Sequence, residues 1–222
     1  MKKSFSVFFL TFLFLSTACI GQVSVGAKLG FNLATMTIDP GFTSLGKGPA
    51  LGFHGGTVFN IGLSNMLSVQ PEILFTQKGL KFSDNFISQT YTIQYFEFPV
   101  LLKFAFGNEE VKGFLIGGPF AGYSTSQKIV SRANDTLINK SKIPFDSDLE
   151  DDGYADNRLD LGLALGVGVQ FKTGPGNIFA EVRYDISLNS VEKLKEVPAG
   201  YSLVKNKVVM ISLGYLYTLN SN

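Results

Sequence analysis

Residues 158–172 read RLDLGLALGVGVQFK. From Leu159 to Phe171 every odd position is large and apolar, while Asp160, Gly162, Ala164, Gly166, Gly168 and Gln170 between them are small, polar or charged. Strict period-two alternation marks a strand whose two faces meet different surroundings. Strands of soluble proteins run to about 5–6 residues. A tilted strand crossing a bilayer needs about 9–11, with apolar side chains toward lipid and polar ones toward a lumen. The stretch reads as a transmembrane β-strand.

Seven further segments carry the same signature. They are 22–36, 49–63, 66–78, 91–106, 113–124, 177–188 and 205–219. In 91–106, for example, Phe96, Phe98, Val100, Leu102 and Phe104 oppose Glu97 and Lys103. The segment 113–124 does not alternate cleanly, and its faces stay unassigned. Pro71 and Pro99 fall inside strands and should each mark a bulge or a local break, because proline cannot donate to the ladder. The connections at 64–65, 107–112 and 173–176 are short and rich in turn formers. Those at 37–48, 79–90, 125–157 and 190–204 are long. The rhythm is that of an all-β, eight-stranded antiparallel up-and-down transmembrane β-barrel with short periplasmic turns and long extracellular loops.

Residues 1–21 carry Lys2 and Lys3, an apolar run and then small residues. This is the pattern of a secretory signal peptide, with cleavage expected before Gln22 and a barrel domain over 22–222. Ser16-Thr17-Ala18-Cys19 leaves a rival reading open, a lipoprotein cleavage box at the only cysteine. Beyond residue 21 no apolar run approaches the ~18 residues of a membrane helix, so spanning requires a closed barrel. A net charge of +1 on 222 residues gives no clustered positive excess for nucleic acid.

The wording of several segments is also familiar. GAKLGFNLA, GFHGG followed by LSVQPEILFTQKG, YFEFPVLLKF, FLIGGPFAGY, LDLGLALGVGVQF and FAEVRYDISL resemble, in order, the PorT-like outer-membrane β-barrel family of Gram-negative bacteria, often labelled porin-family proteins. The resemblance covers nearly the whole mature chain. It implies an eight-stranded barrel in the outer membrane and little about biochemistry. Ser212, Gly214, Tyr217 and Leu219 fit a C-terminal signal for the barrel-assembly machinery, with Leu219 where phenylalanine is usual and residues 220–222 following.

The inward charges are the main candidate constellation. Lys28, Glu72, Glu97, Lys103, Glu181, Arg183 and Asp185 should occupy neighbouring layers in the lower half of the lumen. Eight strands enclose an interior just wide enough for side chains to fill. The charges therefore read as a structural ion-pair network, with the planar fork of Arg183 suited to two carboxylates; an ion or substrate path is the alternative. Inward glycines at 52, 56, 162, 166 and 168 leave space for a small ligand unless bulky side chains fill it. His54, the only histidine, faces inward and reads as structural. Asp148, Glu150, Asp152 and Gly153 begin like a calcium loop, but the twelfth position is Leu159 where glutamate is required. With Asp146 and Asp151 they form a solvated acidic loop or a loose cation site. No catalytic, cofactor or metal set is expected. The chain reads as a non-enzymatic barrel surrounded by outer-membrane lipid, with a protein partner or surface met through residues 125–157. A small porin or transporter is the alternative, and a lipid-modifying enzyme a further one.

Overall fold

The computed structural model describes residues 22–37, 46–84, 86–134, 136–146, 154–195 and 203–219. The expected signal peptide with Cys19, and Asp148, Glu150, Asp151 and Asp152, lie outside the described residues. The strands are β1 (Val23–Met36), β2 (Gly46–Gly48), β3 (Ala50–Gly62), β4 (Leu67–Ser83), β5 (Ile87–Gly107), β6 (Val111–Ala133), β7 (Thr136–Ile143), β8 (Tyr154–Asp156), β9 (Leu159–Thr173), β10 (Gly176–Ser187), β11 (Glu192–Leu194) and β12 (Asn206–Thr218).

Antiparallel pairing runs β1–β3–β4–β5–β6–β9–β10–β12 and returns to β1. The closing seam is continuous from Ser24 opposite Thr218 to Met36 opposite Asn206. All eight long strands are thus paired on both sides, as a sheet in hydrocarbon must be. The alternation sorts as read from the sequence. Leu29, Leu51 and Leu165 are 69%, 71% and 67% exposed on the outside, whereas Lys28, Asn32 and Asp160 are buried toward the lumen. Rows of exposed leucine and phenylalanine this extensive suit only a lipid environment.

The turns at one end are tight. Ser64 Oγ accepts from the Leu67 amide, Asn108 Oδ1 accepts from the amides of Glu110 and Val111, and Gly174 takes a φ of 57° that favours glycine. At the other end the sequence reading needs correction. The expected loop 79–90 is mostly strand: β4 and β5 pair up to Ser83 opposite Ser88. The expected irregular loop 125–157 begins as a hairpin, with β6 running on to Ala133 and β7 pairing back on it. Above the lipid β4 and β5 turn apolar Leu80, Phe82 and Ile93 inward with Lys81 and Thr92 outside, the reverse of the membrane pattern, and β7 is exposed along nearly its whole length, so the lipid-facing alternation does not mark them. The parts of loops three and four at β8 and β11 pair with each other above the barrel.

Neither proline makes a bulge. The register is the same on both sides of Pro71 and of Pro99, with short gaps in the bridge pairing instead. One bulge lies between Gln94 and Tyr95 of β5, where Thr125 of β6 is the unpaired extra residue, and a second register shift falls between Ser131 and Arg132 of β6, where Ile138 of β7 is the extra residue.

The faces of β6 resolve once β9 is seen beside it. Phe114, Ile116 and Phe120 point inward and are buried, and their cross-strand partners are Gly168, Gly166 and Gly162. A Cβ on Gly168 would lie 2.2 Å from the Phe114 ring, and one on Gly162 2.3 Å from that of Phe120. The space left by Gly162, Gly166 and Gly168 is therefore filled by side chains of β6.

Candidate functional site

Among the described residues the lumen gathers the buried ionisable side chains. Strand β1 contributes Lys28, β4 contributes Glu72 and Lys78, β5 contributes Glu97 and Lys103, β9 contributes Asp160, and β10 contributes Glu181, Arg183 and Asp185. All are buried. They form two groups rather than one.

In the lower group Lys28 Nζ lies 2.9 Å from Glu72 and 3.1 Å from Glu181. Arg183 Nη1 donates to Glu72 Oε2 at 2.8 Å, and its Nε lies 3.1 Å from Asp185. Gln70 Nε2 also donates to Glu72, at 2.8 Å. Glu72 is thus the hub, accepting from three side chains, and Arg183 meets two carboxylates. In the upper group Lys78 is ion-paired with Glu97, and lies 3.0 Å from Asp160. Asn206 Nδ2 sits 3.2 Å from both Asp160 Oδ2 and the Tyr95 hydroxyl. Burying charge in this way is tolerable only because the ions are paired.

Two of these residues escape a count made from the short turns. Lys78 and Asp160 stand far from those turns, in the upper half, and they draw Glu97 there. Asp160 lies in the alternating stretch 158–172, so its inward parity was the available signal. Lys103 behaves differently from the expected network member. Its ammonium stacks 4.0 Å from the Phe114 ring centroid and 5.8 Å from that of Phe179, and no carboxylate among the described residues pairs with it. It lines a cavity of about 880 Å³ at the periplasmic mouth, with Ser24, Asn60, Ser68, Gln170 and Asn177.

His54 is buried between Asn32 and Ser212. Asn32 Nδ2 donates to Thr76 Oγ1 and to the Gln77 carbonyl, both at 2.8 Å. Its Oδ1 is therefore left to accept from His54 Nδ1, 2.7 Å away. The Nε2 lone pair then accepts from the Ser212 hydroxyl at 2.8 Å. The order serine–histidine–asparagine has the logic of an activated nucleophile. All three side chains are buried, however, and none lines the mouth cavity.

Apolar side chains bracket the ions. Toward the periplasm lie Phe114, Phe179, Val58 and Leu216. Toward the outside Met36, Leu80, Ile93 and Tyr95 pack with Phe82, Tyr91, Val191 and Val204. Of the acidic stretch only Asp146 is described; its amide donates to Asp156 Oδ2 at 2.8 Å. Among the described residues no group of three or more His, Cys, Asp or Glu is arranged to hold a metal.

A closed antiparallel ring, with lipid-exposed leucines outside and ions inside, specifies a class of protein. The family model described as "Outer membrane protein beta-barrel domain" matches residues 16–193. The chain belongs to this family. It is an outer-membrane β-barrel, and its short-turn end faces the periplasm. Among solved structures the barrel is similar to Neisserial surface protein A (NspA), from Neisseria, with 14% identity over 90% of this chain and 99% of that one, at a TM-score of 0.47. It is also similar to Ail, the attachment invasion locus protein of Yersinia pestis, in complex with the heparin analogue sucrose octasulfate (16%, 90% and 100%, 0.42). The outer membrane protein OprG from Pseudomonas aeruginosa is a third (11%, 91% and 98%, 0.44). At these identities the likeness is one of fold. No curated protein matches the chain.

Proposed function

We propose that this outer-membrane barrel is non-enzymatic, closed to ions through its centre, and active through the structure it raises above the membrane. The observation that carries the reading is the contrast between its two parts. The lumen holds two ion-pair groups between apolar caps, with His54 and Ser212 out of reach. The β6–β7 hairpin, by contrast, projects past the lipid-facing rows and leaves Leu137 and Ile138, with Phe86 beside it on the next loop, more than half exposed at its tip. Apolar side chains held up into water on a paired scaffold form a contact surface. A protein partner or a surface outside the cell is what such a tip would meet. Residues 1–21 serve in this reading as the secretory signal that an outer-membrane barrel needs, and the order of the motifs supports a PorT-like member.

Two measurements test this. In planar bilayers the purified protein should give no steady porin-sized steps; such steps would overturn the closed lumen. Pull-down after cross-linking in intact outer membranes should lose a partner when residues 128–142 are replaced by a two-residue turn. An unchanged partner set would overturn the role of the hairpin.

A further inference from the structure

The outer face of β4–β7 changes character above one aromatic row. Phe75, Phe96 and Tyr123 are cross-strand partners, and Phe96 and Tyr123 are exposed. Higher up, the paired positions run Gly79–Thr92–Lys128–Lys142, then Lys81–Thr90–Val130–Lys140, then Ser83–Ser88–Arg132–Leu137. Leu80, Ile93, Tyr95 and Gln127 are buried toward the lumen. Their neighbours Lys81, Thr92 and Lys128 are therefore on the outside, and the pairing carries Lys140, Lys142 and Arg132 to the same face.

Five cations thus share one outward surface, and these rows contain no Asp or Glu. None of the lumenal ion pairs involves these five, and none of the five has a carboxylate partner among the described residues. Lys128 and Lys142 stand directly opposite each other, an arrangement that destabilises a ladder unless an anion lies between. Thr90 and Thr92 add hydroxyl donors beside them. Along the strand Thr92 lies about 13 Å above Phe96, and the strand tilt brings that to roughly 10 Å above the aromatic row. Aromatic rows sit at the membrane–water interface, so these cations stand on its headgroup side.

We propose that this surface binds the phosphate groups of phosphorylated glycolipid headgroups in the outer leaflet, and so fixes the root of the hairpin to the membrane surface. The charge complementarity names the occupant: a cluster of cations without acids, facing outward from a barrel at headgroup height. The proposal stands apart from whatever the hairpin tip meets.

The test uses the full mature protein in mixed micelles, titrated with bisphosphorylated lipid A, with the same lipid stripped of phosphate, and with inorganic phosphate. The wild type should bind the phosphorylated lipid, and weaken as salt rises. Removing basic residues near an anionic surface costs about fivefold each, so K128Q/K140Q/K142Q should weaken binding about a hundredfold. The lipid without phosphate should bind no better to wild type than the phosphorylated lipid binds to the variant. Millimolar inorganic phosphate should leave lipid binding unchanged; full competition would show a site for free phosphate and overturn the lipid assignment. Equal affinity of variant and wild type, or of the two lipids, would overturn the proposal. K112Q/K172Q, which removes lysines at the periplasmic end, should bind like wild type, and heat-modifiable gel mobility checks that each variant is folded.

Discussion

Replacing Glu72 with glutamine tests whether the lower ion group holds the barrel together. The carboxylate accepts from Lys28 and Gln70 on Oε1 and from Arg183 on Oε2. A glutamine amide has one oxygen and one NH2, so it can satisfy only one side. With its oxygen toward Lys28 and Gln70, the NH2 confronts the Arg183 donor. With the oxygen toward Arg183, it confronts both other donors. The first orientation costs less, because Arg183 keeps Asp185 at 3.1 Å. Removing one partner of a buried pair costs about 3–5 kcal/mol, and the retained contact puts Glu72→Gln near the lower figure, about 3 kcal/mol. Equilibrium urea unfolding in phospholipid vesicles, followed by gel mobility and circular dichroism, measures it. The double variant with Lys28→Met should be less destabilised than the sum of the single changes, since each removes what the other leaves stranded. A Glu72→Gln protein within about 1 kcal/mol of wild type would show that the group adds nothing net, and the reasoning would fail.

Further outcomes follow from the same geometry. Lys103 has no carboxylate to abandon, so Lys103→Met should change stability by less than about 1 kcal/mol, where Lys28→Met costs about 3–5 kcal/mol in the same unfolding assay. Gly168→Ala puts a Cβ 2.2 Å from the Phe114 ring and 2.4 Å from the Ala180 carbonyl, and should cost about 1–3 kcal/mol. Gly117→Ala meets only the movable end of Leu165 inside 3 Å and should fold like wild type; matching losses for the two would refute the packing account. At the β4–β5 turn, Asp84 Oδ1 accepts from the amides of Phe86 and Ile87, which holds its carboxyl below the ordinary aspartate value of 3.8. Its contribution is present above that value and lost as pH falls through the lower folded one. Hydrogen exchange at Phe86 and Ile87 should therefore show extra opening only in strong acid, and Asp84→Asn should abolish that dependence.

The strands that touch lipid were legible because lipid and lumen impose opposite demands on successive residues. Segment 159–171 shows this alone. Segment 113–124 does not, since its bulky Phe114, Ile116 and Phe120 face inward and its small Gly117 and Ala121 face out. Only beside the glycines of β9 does the volume balance, and that is a property of two strands, not one. The ion network was legible in its members but not in its grouping. Parity placed Glu72 and Arg183 inside; strand stagger decided that Lys78 and Asp160 would gather Glu97 while Lys103 stacked on a phenylalanine. Above the membrane the signal fades because the outer face is no longer apolar while the inner face packs Leu80, Ile93 and Tyr95. The hairpin of residues 127–143 is held by backbone pairing, and its sequence reads as loop. The bulge at Thr125 likewise had no mark, whereas the prolines that carried the expected mark left the register unchanged.

The distribution of lumenal charge has a consequence for how the sheet closes. Strands β1–β5 contribute Lys28, Lys78 and Lys103 against Glu72 and Glu97, whereas β6–β12 contribute Asp160, Glu181 and Asp185 against Arg183 alone. One half-cylinder is thus cationic inside and the other anionic. Neither can neutralise itself while the seams between them are open, and each supplies what the other lacks. Zipping β12 onto β1 brings Lys28 within reach of Glu181, so the last seam to form is drawn together by opposite charge as well as by backbone pairing. An unclosed intermediate would stay wet at its concave face and be held back from premature collapse.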